Sequence, residues 1–178
     1  KSIEEFEKSL LMYEKAMKYY KRNLFILDSH YGENHHKSAV QLNWIGDLYE
    51  KKKEYKTAED YYQKSLSITK KYYGLNNHLI ASNYIWLGKL FMKQGLYKKA
   101  QEKFSKSYDL REKFLGKNNL ETLSSLKWLA ESLARQSLYR ESERLYLEVL
   151  EYEKDLLGDN HPKISNTFLA LGDIYMNL

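Results

Sequence analysis

Apolar residues recur at steps of three and four along most of the chain, interrupted by short polar breaks. Within 39–51, Leu42, Ile45, Leu48 and Tyr49 share one stripe, the spacing of an amphipathic helix. Residues 52–55 are polar, and their counterpart Gln94-Gly95-Leu96-Tyr97 contains a glycine, so both read as helix-to-helix turns. A second stripe of Ala58, Tyr61, Tyr62, Ser65, Leu66 and Ile68 runs to Tyr73 and stops at Gly74, where a left-handed residue ends a helix at little cost. One unit is thus a helix, a turn and a longer helix.

The unit repeats. Gly32, Gly74, Gly116 and Gly158 lie 42 residues apart, and so do Tyr13, Tyr55, Tyr97 and Tyr139. Ala16, Ala58, Ala100 and Ser142 form a third column, and Tyr20, Tyr62, Phe104 and Tyr146 a fourth. Four columns in one register identify an internal repeat. His35, Asn77, Asn119 and His161 share a further column just ahead of each new helix. Asparagine is a good N-cap there, and Pro162 suits the first helical position, where no amide donor is missed. Complete hairpins are expected at 39–74, 81–116 and 123–158. Residues 165–178 would supply the first helix of a further unit. Residues 1–32 would supply an earlier second helix. Ile3, Phe6 and Leu10 continue its apolar stripe, and Leu10-Leu11-Met12 carries no turn signal, so a broken hairpin and one long helix both fit. A hairpin of this size cannot bury its own apolar face, so stacking would make 1–178 a single array. The chain starts at Lys1 and both ends fall inside a unit; the expectation is a piece of something longer.

Composition narrows the function. One proline and eight glycines leave room for long helices, and the apolar content allows a packed core. A net charge of +5 over 178 residues favours acidic partners slightly without singling out nucleic acid or membrane. No apolar run approaches the length of a bilayer-spanning helix, and 1–23 is charged throughout, so neither membrane insertion nor a secretory leader is expected. The lack of cysteine excludes disulfides and thiol catalysis and suits a cytoplasmic location.

The columns resemble the tetratricopeptide repeat pattern: a large apolar residue, leucine-glycine, tyrosine, then alanine, aromatic and alanine in the second helix. Here these read Leu42, Ile45-Gly46, Tyr49, Ala58, Tyr62, Ser65, and next Tyr84, Leu87-Gly88, Phe91, Ala100, Phe104, Ser107. The third set is Leu126, Leu129-Ala130, Leu133, Ser142, Tyr146, Val149. The usual unit has about 34 residues; the eight further residues here are about two helical turns. With LGDNHP at 157–162, the longer unit is similar to the kinesin light chain subclass. The resemblance implies an all-α, right-handed superhelical solenoid of antiparallel helix-turn-helix repeats. It also implies that first helices line a concave groove for extended peptides.

The groove face can then be derived from helical angles. Opposite the core stripe lie Val40, Asn43, Asp47, Glu50 and Lys51, then Ser82, Ile85, Lys89, Met92 and Lys93. The later units place Ser124, Lys127, Glu131, Ala134 and Arg135, then Asn166, Leu169, Asp173, Met176 and Asn177. The chain's three tryptophans, Trp44, Trp86 and Trp128, are spaced 42 and 42, about 60° from the middle of that face. Family members often carry asparagine at this position to bond the ligand backbone; Leu42-Asn43-Trp44-Ile45 keeps only the first asparagine of the resembling units. Two readings of the ladder stand: an aromatic wall gripping an apolar anchor on a peptide, or a set of side chains tightening the stack. Lys51, Lys93 and Arg135 form a basic column beside it, with Lys89 and Lys127 nearby. The candidate peptide-binding residues are therefore Trp44, Trp86, Trp128, Asn43, Lys51, Lys89, Lys93, Lys127 and Arg135. The ligand expected is a protein or peptide segment, acidic and bearing an aromatic anchor.

Other chemistries have less behind them. No histidine pair sits at the four-residue helical spacing of a zinc site, and each glycine stands apart from any phosphate-cradling loop, so no catalysis, metal or cofactor is expected. Tyr19-Tyr20-Lys21-Arg22 and Lys70-Lys71-Tyr72-Tyr73 interleave basic and aromatic residues as single-stranded RNA binders do, though the packing columns already require these tyrosines. A self-associating scaffold is the third class. The expected state is a monomer whose apolar ends could associate end to end.

Overall fold

The computed structural model describes residues 3–75 and 77–178. Among these residues it contains eight α-helices, a single turn of 3-10 helix and no strand. The helices are α1 (Ile3–Tyr31), α2 (His36–Lys51), α3 (Tyr55–Tyr73), α4 (Ala81–Lys93), α5 (Tyr97–Leu115), α6 (Leu120–Ala134), α7 (Tyr139–Leu157) and α8 (Pro162–Asn177), with the 3-10 turn at His78–Ile80. Residues 3–31 therefore form one continuous helix where the repeat would place a turn. The side chains of Ile3 and Phe6 lie outside the described residues. The chain divides into two compact units, Lys1–Leu75 and Asn76–Leu178, with α1–α3 in the first and α4–α8 in the second.

Capping sets the helix starts. Asn119 Oδ1 accepts from the Glu121 amide at 2.9 Å and Asn77 Oδ1 from the Leu79 amide at 2.9 Å. His161 accepts through Nδ1 from the Lys163 amide at 3.2 Å. Three first helices therefore begin three residues ahead of the expected 39, 123 and 165, directly after the cap. In the second complete unit Asn77 caps the 3-10 turn instead, and α4 follows it. At the far ends, Gly74, Gly116 and Gly158 have φ of 82, 79 and 83° with ψ of 174, 167 and 157°. That is an extended conformation at positive φ, open essentially to glycine alone, and not the left-handed helical geometry expected from the sequence.

The hairpins close on a small-into-large contact. A Cβ placed on Gly46 would lie 2.6 Å from Tyr62 Cε1, and one on Gly88 2.7 Å from Phe104 Cδ1. Those rings are fully buried. The first unit's core joins Ala39, Leu42 and Ile68 with Leu24 of α1 packed against them. In the second unit Ala130, Tyr146, Leu171 and Ile174 pack together, which brings α8 onto α6 and α7.

Candidate peptide-binding cleft

In the second unit one cleft of about 1100 Å³ opens on α6, α7 and α8. It is lined by Ser124, Lys127, Glu131, Ala134 and Arg135 of α6 and by Asn166, Leu169, Asp173, Met176 and Asn177 of α8. These are the ten residues that the angular argument places on the open faces of those two helices. Trp128, Ala170 and Ile174 line it as well. Ala170 stands in the column of Trp44, Trp86 and Trp128, so the cleft sits where the tryptophan column gives way to a small side chain. That break in the column was a sequence signal for its location.

The tryptophans are not equivalent. Trp128 stacks on Phe104 with centroids 5.6 Å apart and planes at 23°, and it also lines the cleft. In the first unit Trp44 stacks on Tyr20 of α1 at 6.3 Å and 15° and remains 40% exposed. Each of these two rings thus rests on the aromatic residue of the preceding second helix. Trp86 is half-buried in α4. Lys89 Nζ lies 4.7 Å from the Trp128 ring centroid and 5.8 Å from that of Trp86. A cation over an indole face is worth about 0.5–1 kcal/mol where water reaches it, so Lys89 joins two rungs through their π-faces.

The basic residues carry local counter-charges. Lys51 donates to Asp47 at 2.6 Å, and that hydrogen bond raises its pKa. Arg135 donates to Glu131 at 2.8 Å, with the same effect on the guanidinium. Both are one-turn pairs on the helix surface, worth a few tenths of a kcal/mol. Lys127 reaches Glu153 of α7 at 3.1 Å, and the Glu153 side chain is only 5% exposed. Lys93 is exposed at the end of α4. Within the cleft, Lys127, Arg135 and Lys163 face Glu131, Glu153 and Asp173, so its formal charges balance.

Two positions differ from the angular reading. Asn43 is 8% exposed, and its Oδ1 has no hydrogen-bond partner among the described residues. Glu50, expected on the open face, is 5% exposed and accepts a hydrogen bond from the Tyr62 hydroxyl at 3.1 Å. The angular argument treats a helix alone, whereas α3 lies against α2 and reaches around to that carboxylate.

A buried polar layer went unread in the sequence. Arg111 of α5, 7% exposed, donates to the Glu121 carbonyl at 2.9 Å, Ser125 Oγ at 3.0 Å and Ser82 Oγ at 3.1 Å. It thereby ties α4, α5 and α6 together. Burial lowers its pKa, opposed by the Glu121 carboxylate. One period later Glu153 accepts from Thr167 Oγ1 at 2.6 Å as well as from Lys127. Arg111 and Glu153 share one column, and Ser125 and Thr167 another. The signal was a charged residue recurring in phase on a helix face that elsewhere holds Thr69.

Two tetratricopeptide repeat models match the sequence, over residues 37–113 and 122–163. The chain belongs to the tetratricopeptide repeat family. Tetratricopeptide repeats are non-catalytic scaffolds that mediate protein–protein interaction. The fold is an all-α repeat solenoid. It is similar to BtubC (BKLC) from P. vanneervenii, with a TM-score of 0.76 at 19% identity over 96% of this chain and 65% of that one. It is also similar to the nearly identical TPR-like repeats of a Podosopora anserina kinesin light chain protein, with a TM-score of 0.76 at 15% identity over 93% of this chain and 78% of that one. The chain spans about two thirds of the length of BtubC. No curated protein matches it in sequence. Among the described residues no helix is long and apolar enough to cross a membrane, and no group of three His, Cys, Asp or Glu side chains is arranged to hold a metal ion.

Proposed function

We propose that this tetratricopeptide repeat chain is a protein-binding scaffold in the cytoplasm, and that its second unit takes a peptide segment of the partner in the cleft on α6 and α8. The observation that carries this reading is the coincidence of the open faces of two successive first helices in one cleft with a tryptophan and a tryptophan-to-alanine step. Such a step leaves room for a bulky side chain, and a desolvated aromatic anchor is the commonest source of peptide affinity. The balanced charges of the cleft assign acidic residues of the peptide a secondary role. They would be steered by the chain's net charge of +5, which raises the rate of encounter more than the strength of the contact.

The test is an array of acidic peptides, each with one tryptophan or tyrosine, followed by fluorescence anisotropy on the tightest. Leu169 lines the cleft and is 65% exposed, so Leu169→Glu should leave the helical melt unchanged. It should weaken binding tenfold or more, about 1.4 kcal/mol. Undiminished affinity in that variant would remove the cleft from the account.

The RNA reading is the weaker one. Tyr20 stacks on Trp44, and Tyr72 stacks on His36 at 3.8 Å, so two of the rings it needs for bases are engaged within the first unit.

A further inference from the structure

The column of helix caps mixes two chemistries. Asn77 and Asn119 accept through a side-chain carbonyl, which does so at any pH. His35, in the same column, accepts through Nδ1 from the Lys37 amide at 3.4 Å and so caps α2. An imidazole accepts only while neutral, because the protonated ring donates from both nitrogens. A proton on His35 would also set a positive charge at the positive end of the α2 dipole.

The surroundings of this cap add to the cost of a proton. His35 stacks on Tyr31 of α1, with centroids 4.9 Å apart and planes at 16°, and its ring lies 4.2 Å from that of His36. His36 in turn stacks on Tyr72 of α3 at 3.8 Å and meets Tyr73 edge-on at 5.6 Å. His30 of α1 meets Tyr31 edge-on at 4.5 Å. Imidazole and phenol rings thus join three helices. Lys37 brings a cation among them: its Nζ donates to the Tyr31 hydroxyl at 2.8 Å and lies 4.0 Å from that ring's centroid. Lys70 and Lys71 add cations in the last turn of α3. Of the carboxylates nearby, Asp28 of α1 accepts from Ser38 Oγ at 2.7 Å, and Glu33 of the connecting loop is exposed. His36 Nδ1 is buried with no hydrogen-bond partner among the described residues, so a proton there would have nothing to bind. Burial lowers the His36 pKa, and the charges of His35 and Lys37 lower it further. The folded joint therefore favours neutral rings. That contribution to stability is complete above the ordinary imidazole value of about 6.5 and declines as the pH falls below it.

We propose that this joint is an acid-sensitive latch on the first unit: protons on His35 and His36 uncap α2 and part it from Tyr31 and Tyr72. The latch lies among α1, α2 and α3 and is independent of the peptide cleft of the second unit. It opens over the range in which imidazoles titrate, roughly pH 7 to 5.

Hydrogen exchange on the full chain, corrected for the intrinsic rate at each pH, tests this. On acidification from about pH 7.5 to about pH 5.5, the protection of residues 36–45 should fall about fivefold or more, as the loss of a cap requires. Residues 120–129, which start from the Asn119 cap, should keep theirs. A double variant, His35→Asn and His36→Leu, takes its two side chains from Asn119 and Leu120 in the same columns. It should melt like the wild type at neutral pH and lose no protection on acidification. Level wild-type protection in 36–45 overturns the proposal. So does a fall that residues 120–129 share, or one that the double variant retains.

Discussion

At position 88 a single hydrogen atom sets the separation of two helices. A methyl group there would lie 2.7 Å from Phe104 Cδ1, well inside contact distance, and the ring is fully buried with Trp128 stacked on it. Gly88→Ala is therefore expected to destabilise the chain by about 1–3 kcal/mol, the usual cost of overpacking a filled core. Gly172→Ala, where nothing lies within 4 Å, should stabilise it by up to about 1 kcal/mol through helix propensity. Denaturant titration of both variants checks the contrast, and equal midpoints would contradict it. The glycine and its aromatic partner were legible as columns because a 42-residue period exposes them without knowledge of the fold. Lys127 and Glu153 were not. They are 26 residues apart and meet at 3.1 Å only because α6 and α7 lie side by side, and each alone reads as an ordinary charge on a solvated face.

The turns between paired helices carry the repeat at the scale of the element. Lys53, Gly95 and Ser137 occupy one column with φ of 62, 72 and 62°. The amide of the residue that follows closes on a carbonyl of one column each time: Glu54 to Tyr49 at 2.9 Å, Leu96 to Phe91 at 2.9 Å and Leu138 to Leu133 at 3.0 Å. This is the hydrogen-bonded C-terminal stop of a helix, which favours glycine at positive φ. Only Gly95 announces the turn in the sequence; the other two units bear the strain of a side chain there. Ser137→Gly should gain a few tenths to about 1 kcal/mol, the relief of left-handed strain less the greater freedom of the unfolded chain. A lower melting temperature for this variant would mean that the serine side chain contributes a contact beyond those described. In α1 the same register falls on Leu11, and Leu10, Leu11 and Met12 are 38, 48 and 48% exposed on an unbroken helix. The missing turn signal was visible in the sequence. The choice of one straight helix over a broken hairpin was not, because no residue there forbids either.

For the molecule as a whole, the period determines which residues can act together. Helical angles alone give the open faces of α6 and α8, and one cleft collects all ten of those residues. The same angles misplaced Asn43 and Glu50, both buried, because a helical wheel knows its own helix and not its neighbours. The tryptophan ladder divides its roles in the same way: Trp128 stacks on Phe104 and also lines the cleft, so under the proposed function one side chain would build the stack and meet the peptide. The central claim is that a partner peptide lies on the open faces of α6 and α8. The most direct measurement is amide and indole shift mapping of the full chain, titrated with the tightest acidic peptide bearing an aromatic residue. The account predicts the largest changes at the Trp128 indole N–H and at the amides of Ser124, Ala134, Asn166, Leu169 and Ala170. Shifts confined to the outward residues of α5 and α7, such as Lys106, Glu151 and Asp155, would contradict it.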